Sequence, residues 1–372
     1  MKIGGKVYMS DIFANEEQDY SLDVPKEKRF LNTTSYDYSV EYLFNLIKKG
    51  KIVLEVPFQR KHIWKNDKAS MLIESIIMNV PIPPLYFAEE DDGSWLVLDG
   101  LQRLYSILNY YDNEFALTKV EVLGELQKRK YKDLPPKAKS LLDDGLLRVN
   151  IIKKDSHRDI KYDIFMRLNR GAVTLNYQEL RNCLYRGNLN DAAKELCNEN
   201  KDFLAMLKQK KPHQRYLDVE FIIRYFAFSD NIKKEKGVFL VEGYKGKLVS
   251  YLNEYMDNNK DCSVEKKEQY KKRFNETIEK VKIVFGIDKA FRDISTENVK
   301  VYKTIADFIM PSFERMSFEY INENKNELYD KLFTFLKRDD IQKSLLVKTS
   351  DKDMVNLRIG EWFKEINDGI SL

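Results

Sequence analysis

The spacing of apolar residues changes along the stretch Trp95–Tyr111. Four consecutive apolar residues, Trp95–Leu98, predict a short buried strand. From Leu101 onward the apolar positions follow the 3.6-residue spacing of an amphipathic helix. Asp99 and Gly100 lie between the two patterns, so the sequence predicts a junction at which a strand passes directly into a helix.

Strand and helix patterns alternate through the rest of the first half. Residues 1–37 are polar and weakly periodic, and we predict an irregular N-terminal arm there. Asp92-Gly93 predicts a hairpin turn ahead of the central strand. The apolar patterns predict further strands at about 53–56, 85–88 and 146–152, and helices at about 40–49, 136–144 and 157–170. Another helix, capped by Asn66 or Asp67, carries apolar residues from Leu72 to Ile77 on one side.

Helical spacing dominates beyond Asn176, and strand patterns nearly vanish. Pro311 is predicted to break or kink one of these helices. We therefore predict an α+β protein in which a domain with a small mixed sheet precedes an all-α domain. The predicted divisions are an arm at 1–37, the sheet domain at 38–182 and the helical domain at 183–372.

The composition places the chain among ordinary globular proteins. It has 372 residues, 43% of them hydrophobic and 33% charged, which favours two folded domains over disorder. Three cysteines without close pairing form neither a disulfide framework nor a zinc pattern. With no signal peptide pattern and no membrane-length apolar run, a reducing, cytoplasmic location is expected.

A net charge of +4 permits nucleic-acid binding without requiring it. The lysine-rich pieces at 208–211 and 266–273 are candidate nucleic-acid patches. Acidic residues accompany both, so solvated helix faces are the simpler interpretation.

The strand-to-helix junction offers chemistry suited to anions. A helix N-terminus presents unpaired N–H groups and a partial positive charge, and Gly100 would let a ligand approach the backbone. Arg103 could fork onto a phosphate, and Asp99 could hold Mg²⁺. The structural alternative is a capping box, in which Asp99 and Gln102 satisfy the helix N–H groups reciprocally.

Two further polar elements could meet this junction in one cleft. The first contains Gln59, Arg60 and Trp64, and the second runs from Arg167 to Arg181. Arginines would supply phosphate contacts, and Glu179 would supply an oxygen ligand or a base. The alternative is that these residues form salt bridges and caps between the two halves. Asn176 with Glu179 also has the pattern of a capping box for the next helix.

Four ordered motifs make the chain resemble a known bacterial family of domains of unknown function, typified by the N-terminal half of GmrSD-type restriction enzymes. The matching text is FQRKHIW at 58–64, PIPPLYF at 81–87, DGLQR at 99–103 and FMRLNRGAVTLNYQELRN at 165–182. Arg215 to Asp218 and Arg224 to Phe228 are similar to a following R-x-x-D…L-R-F-x-A-F helix. The resemblance covers about residues 38–230.

The resemblance implies a ParB/sulfiredoxin-like fold, nucleoside-triphosphate binding and hydrolysis with Mg²⁺, and a role in phage defence by DNA restriction. Carried onto this sequence, it implies a catalytic group and a nucleotide- or phosphate-binding group, with Asp99 also as the metal ligand. The catalytic group is Asp99, Gln102 and Arg103. The binding group is Gln59, Arg60, Gly100, Asn169, Asn176, Glu179 and Arg181.

The sequence departs from the family pattern at Leu101, where relatives carry glutamine. Many relatives also carry an HNH nuclease, whereas this sequence has only His62, His157 and His213 and no HNH pattern. Two functions follow: a nucleoside-triphosphate hydrolase of a restriction system, or a non-catalytic nucleotide- or DNA-binding module that recruits a nuclease. A structural protein whose motifs are only caps is a third. DNA, a separate nuclease subunit and a second copy of the chain are candidate partners, and no membrane partner is expected.

Overall fold

The structure is a computed structural model, and it describes residues 31–54, 64–168 and 176–369. The chain divides into two compact units between residues 175 and 176. The first unit comprises the described residues 31–168, and the second unit comprises 176–369. No helix within these described stretches has both the length and the apolar content needed to cross a bilayer.

A mixed sheet forms the centre of the first unit, as the sequence predicted, and it has five strands. Its order is β1-β5-β3-β4-β2, and antiparallel and parallel pairs alternate across it. The strands are Thr33–Ser39 (β1), Ile52–Val53 (β2), Leu85–Glu89 (β3), Trp95–Asp99 (β4) and Leu146–Ile152 (β5).

Five α-helices accompany this sheet: Val40–Lys48 (α1), Asn66–Ile77 (α2), Leu101–Tyr111 (α3), Pro136–Asp143 (α4) and Arg158–Leu168 (α5). Short 3₁₀ turns lie at Gly124–Leu126 and Tyr131–Asp133. The helices begin where local chemistry favours it. Ser39 caps α1 by accepting from the Tyr42 N–H, and proline occupies the first position of α4.

Strand β4 is the buried strand that the apolar run predicted. Its first four residues, Trp95–Leu98, are all buried, which fits a strand covered on both faces. The predicted hairpin joins it to β3 through Asp92 and Gly93, and the Asp92 carboxylate accepts from the Ser94 N–H. The strand thus delivers Asp99 from the core to the start of α3.

The end of the predicted N-terminal arm is a strand instead. Residues Thr33–Ser39 form β1, which pairs antiparallel with β5 along its whole length. This segment is rich in threonine and tyrosine, which suit strands. Because β1 is an edge strand and mostly exposed, it lacks the alternating apolar signal by which sequence reasoning finds strands.

The second unit is mostly helical, with one two-stranded hairpin that the sequence did not indicate. Its helices are Tyr177–Leu184 (α6), Asn188–Glu199 (α7), Lys201–Met206 (α8), Leu217–Asn231 (α9), Leu248–Asn259 (α10), Val264–Lys289 (α11), Lys303–Glu314 (α12), Phe318–Leu336 (α13), Asp339–Leu346 (α14) and Lys352–Glu365 (α15). The hairpin strands are Ile232–Glu235 (β6) and Val238–Val241 (β7). Helix α12 continues three residues past Pro311 before it ends.

Glu74 fixes the loop that follows α3 in the first unit. Its buried carboxylate accepts the backbone N–H groups of Glu121, Val122 and Leu123 at 3.2, 2.8 and 2.8 Å. Burial alone would raise the pKa of Glu74, but the three N–H donors outweigh it and hold the pKa below its ordinary value of 4.5.

We therefore expect Glu74→Gln to lower the free energy of unfolding by about 1–3 kcal/mol at neutral pH, because the amide has one acceptor oxygen for three donors. Since the pKa of Glu74 is depressed in the folded state, this contribution is complete above the unfolded pKa and is lost as the pH falls through the folded pKa. Urea unfolding across pH 3 to 7 measures it. The exposed Glu114→Gln is the control, and a difference that does not change with pH would contradict the assignment.

Candidate functional site

The predicted junction between strand and helix lies at Gly100. The pairing register of β3 with β4 skips one residue at Leu98, a β-bulge directly ahead of Asp99. Gly100 has a φ of +97° and is the N-cap of α3. No side chain caps the helix, so its first-turn N–H groups are not satisfied by a capping residue. This geometry retains the capacity for an anion that the sequence predicted.

Gly100 is required for internal packing as well as for its backbone conformation. A Cβ atom at Gly100 would lie 2.2 Å from Leu85 Cδ2 and 3.1 Å from Arg103 Nη2. The space beside its α-carbon is therefore filled by the protein. The predicted close approach of a ligand through that space is not what the glycine provides here, because Leu85 and the Arg103 guanidinium occupy it.

Arg103 is buried, and its guanidinium is used within the protein. Nη2 donates to Asp99 Oδ2 at 2.7 Å and to the Pro84 carbonyl at 3.2 Å, and Nη1 donates to the Pro83 carbonyl. Burial lowers the pKa of Arg103, and the Asp99 carboxylate opposes that shift. The side chain therefore links the P-I-P-P segment at 81–84 to the start of α3 by hydrogen bonds. Its predicted phosphate contact stays a prediction.

Asp99 is the more accessible partner of this pair. Its side chain is 39% exposed, against 10% for Arg103. Within the described ranges, no cluster of three or more His, Cys, Asp or Glu side chains could hold a metal ion. A single carboxylate suits Mg²⁺ only when phosphate oxygens and water supply the remaining ligands, as they do for nucleotide-bound Mg²⁺.

Gln102 does not take part in the capping box that was the structural alternative. Its Oε1 accepts the Trp64 backbone N–H at 3.1 Å, and Tyr105 of the same helix donates to the Leu54 carbonyl at 3.1 Å. Trp64 is the last residue of the motif FQRKHIW at 58–64, and Leu54 lies four residues ahead of that motif. The start of α3 therefore contacts the end of the motif and the chain just before it. Sequence reasoning missed Tyr105, because only its distance from Leu54 in space reveals the contact.

Leu101, which replaces the glutamine of relatives, faces the interior. It is 4% exposed and belongs to the core of the first unit. No polar side chain extends from this position of the loop.

Asn176 and Glu179 form the predicted capping box at the start of α6 in the second unit. Asn176 Oδ1 accepts the Glu179 N–H at 2.8 Å, and Glu179 Oε2 accepts the Asn176 N–H at 2.7 Å. Arg215, which begins the R-x-x-D segment after the fourth motif, donates to Glu179 Oε2 at 2.9 Å, and its carbonyl accepts from Asn176 Nδ2 at 2.8 Å. These contacts join the two motifs within the second unit.

Arg181 is fully buried in a polar network. Its Nε donates to Asn253 Oδ1 at 3.1 Å, and its Nη1 lies 3.4 Å from Glu220 Oε2. Lys303 donates to the other oxygen of Glu220 at 2.7 Å. Burial would raise the pKa of Glu220, but Lys303, Arg181 and Arg224 lower it to about 2. Glu220 and Lys303 were not found from the sequence, because neither belongs to a recognised motif.

Three predicted site residues, Gln59, Arg60 and Asn169, lie outside the described residues. The described ones fall into two groups. The β4–α3 junction holds Asp99, Gly100, Gln102 and Arg103 in the first unit. In the second unit, α6 holds Glu179 and Arg181, and Asn176 is its N-cap.

The lysine-rich piece at 266–273 is used within the second unit. Lys267 and Lys271 both donate to Glu195, at 2.5 and 3.1 Å, and Lys271 also pairs with Glu199 at 3.0 Å. These pairs favour an intramolecular role for this stretch over a phosphate-binding patch.

The family model described as GmrSD restriction endonuclease, N-terminal domain, matches residues 40–186. The matched segment contains all four motifs from 58–64 to 165–182, which confirms the resemblance found in them. A comparison with curated proteins finds no match. The family match implies a function related to restriction and phage defence.

Proposed function

We propose, from the family match over residues 40–186, that the chain is a nucleoside-triphosphate-binding and hydrolysing component of a DNA restriction system that acts in phage defence. The β4–α3 junction is the proposed nucleotide site. The observation that carries the proposal is the start of α3, where a left-handed glycine opens a helix whose first turn no side chain caps.

The proposed roles follow from the hydrogen bonds at the junction. The N–H groups after Gly100 would bind a phosphate, and the half-exposed Asp99 would hold Mg²⁺ together with the phosphate oxygens. Bound in this way, Mg²⁺ would neutralise charge on the phosphate chain. Arg103 fixes the orientation of Asp99 and is therefore a positioning residue in this proposal.

Gln102 connects the junction to the motif FQRKHIW at 58–64. Because it accepts from Trp64 while Tyr105 donates to Leu54, α3 fixes the chain on both sides of the residues that include Gln59 and Arg60. This attachment supports the proposal that Gln59 and Arg60 contribute to the same nucleotide site, as the family motifs imply. Asn169 enters the proposal on the family motif alone.

The residues of α6 have a supporting role in the proposal. Their side chains already form hydrogen bonds within the second unit. Asn176 and Glu179 form the capping box, Glu179 also accepts from Arg215, and Arg181 donates to Asn253. We propose that they fix α6 within the second unit, and that a phosphate contact from them would require these bonds to rearrange.

The test is thermal unfolding of the full chain with Mg²⁺ and each nucleoside triphosphate, for wild type, Asp99→Asn and Asp112→Asn. The two aspartates are matched, since each pairs at 2.7 Å with one cation of the first unit, Arg103 or Lys48. A nucleotide at about a hundred times its dissociation constant stabilises the fold by about 2.7 kcal/mol. We expect that shift in wild type and Asp112→Asn, and a much smaller one in Asp99→Asn.

Equal stabilisation of all three proteins would remove Asp99 from the site, and stabilisation of none would remove the nucleotide from the proposal. Phosphate release then separates hydrolysis from binding. Leu101 favours the second candidate, a binding module without turnover that recruits a nuclease, because no polar side chain at that position can orient water. Binding without phosphate release would establish this second candidate.

A further inference from the structure

Arg103 is the one cation within the β4–α3 junction itself, residues 99–103, and its guanidinium is already used. It donates to Asp99 and to the carbonyls of Pro83 and Pro84, and its side chain is 10% exposed. Sites that bind nucleoside triphosphates usually add a lysine or arginine to Mg²⁺ to balance the phosphate charge. The proposed nucleotide site therefore needs a cation from a neighbouring element.

Helix α2 begins beside the start of α3. The Trp64 N–H, two residues ahead of α2, donates at 3.1 Å to Gln102 Oε1, which belongs to the second residue of α3. The expected cap by Asn66 or Asp67 does not form, since Lys65 occupies the N-cap position and makes no side-chain capping bond. Two helices thus begin near one another without side-chain caps, and each carries a partial positive charge at that end.

Lys68 adds a full positive charge to this end of α2. It is exposed in the first turn, and its Nζ lies 4.2 Å from the centroid of the Trp64 ring. Among the described residues no carboxylate pairs with Lys68, and the neighbouring Asp67 pairs instead with Lys119 at 2.5 Å. A cation in the first turn opposes the helix dipole, so Lys68 does not stabilise α2 by its position. The three N–H donors of its ammonium are available to an anion.

We propose that Lys68 binds the phosphate chain of the nucleotide, so that the nucleotide site extends from the start of α3 to the start of α2. This inference rests on the proposed function. Lysine binds phosphate as a compact charge with several donors, which needs no fixed fork geometry. Trp64 is a positioning residue here, because its ring contacts the ammonium while its backbone N–H is bound to Gln102.

The test is isothermal titration calorimetry of the full chain with Mg²⁺ and each of ATP, GTP, CTP and UTP at low ionic strength. We expect Lys68→Ala to bind the preferred nucleotide about fivefold more weakly than wild type, the loss for one exposed ion pair. Lys68→Arg keeps the charge and should bind within about twofold of wild type. The loss in Lys68→Ala should shrink as sodium chloride is added, because salt screens exposed charges.

Lys139 provides the matched control. It is also exposed, and its Nζ lies 4.6 Å from the centroid of the Tyr131 ring. Tyr131 stacks on Tyr111, the last residue of α3, which lies about 15 Å along the helix from its first residue. Lys139→Ala therefore removes the same charge and the same kind of ring contact at the far end of the same helix, and should bind nucleotide as wild type does.

Two results would overturn the role of Lys68 while leaving the nucleotide site in place. One is equal affinity of wild type and Lys68→Ala, and the other is equal weakening in Lys68→Ala and Lys139→Ala, which would reflect net charge alone. Failure of the proposed function is a different result, since no nucleotide would then bind to wild type.

A double-mutant cycle tests the role of Trp64. Trp64→Leu removes the ring but keeps the backbone N–H that Gln102 accepts. We expect it to weaken nucleotide binding about twofold in the wild-type background and not at all in the Lys68→Ala background, because the ring acts through the ammonium. Equal losses in the two backgrounds would show that the ring does not act through Lys68.

Discussion

Replacing Asp307 with alanine is expected to lower the free energy of unfolding by about 3–5 kcal/mol, because it leaves two buried guanidinium groups without their shared carboxylate. Asp307 accepts from Arg224 at 2.9 and 2.5 Å and from Arg358 at 3.4 Å. All three side chains are at most 3% exposed. Arg358 would keep its bonds to two backbone carbonyls, whereas Arg224 would lose a bidentate partner.

The measurement is chemical denaturation of the full chain followed by circular dichroism. The control is Asp202→Ala, which removes an aspartate that pairs with Lys282 at 2.8 Å on the surface of the same unit. Exposed pairs of this kind contribute about 0–1 kcal/mol. Should Asp307→Ala prevent folding, Asp307→Asn keeps one acceptor oxygen and is expected to lose less. A loss for Asp307→Ala no greater than that of the control would show that the carboxylate does not hold the two arginines.

This ion pair shows where sequence reasoning stops. Arg224 lies in a recognised motif within the predicted helical half, and α9 confirms a helix there. Its partner Asp307 is 83 positions away, on α12. Helical spacing within one segment determines which face is apolar, but it contains no information about which distant carboxylate a buried arginine will meet. The sequence can therefore predict an element and leave its electrostatic partner unknown.

The junction at Gly100 was predictable because the strand, the glycine and the helix are adjacent in sequence. So was the capping box of Asn176 and Glu179, whose chemistry spans three residues. The burial of Arg103 was not predictable, because its acceptors are the carbonyls of Pro83 and Pro84 in another turn. Local chemistry is readable from the sequence, whereas side-chain partners depend on the tertiary fold.

Gly100→Ala is expected to lower the free energy of unfolding by about 3 kcal/mol. An L-residue at positive φ costs about 1–2 kcal/mol, and forcing a methyl group into filled space adds about 1–3 kcal/mol. The new Cβ would meet Leu85 and the Arg103 guanidinium. The control is Gly50→Ala, which has a φ of +72° in the same unit but no atom within 4 Å of the added Cβ. It should lose about 1–2 kcal/mol, because only the backbone term remains.

The difference between these two alanine variants, measured by urea unfolding, isolates the packing around Arg103. A large difference means that Leu85 and Arg103 cannot move aside, and that the guanidinium remains against Asp99 and the proline carbonyls. In that case Arg103 would act at the proposed nucleotide site only through Asp99. Equal losses would mean that Leu85 and the guanidinium both yield to a single methyl group, which would contradict the tight packing at this junction.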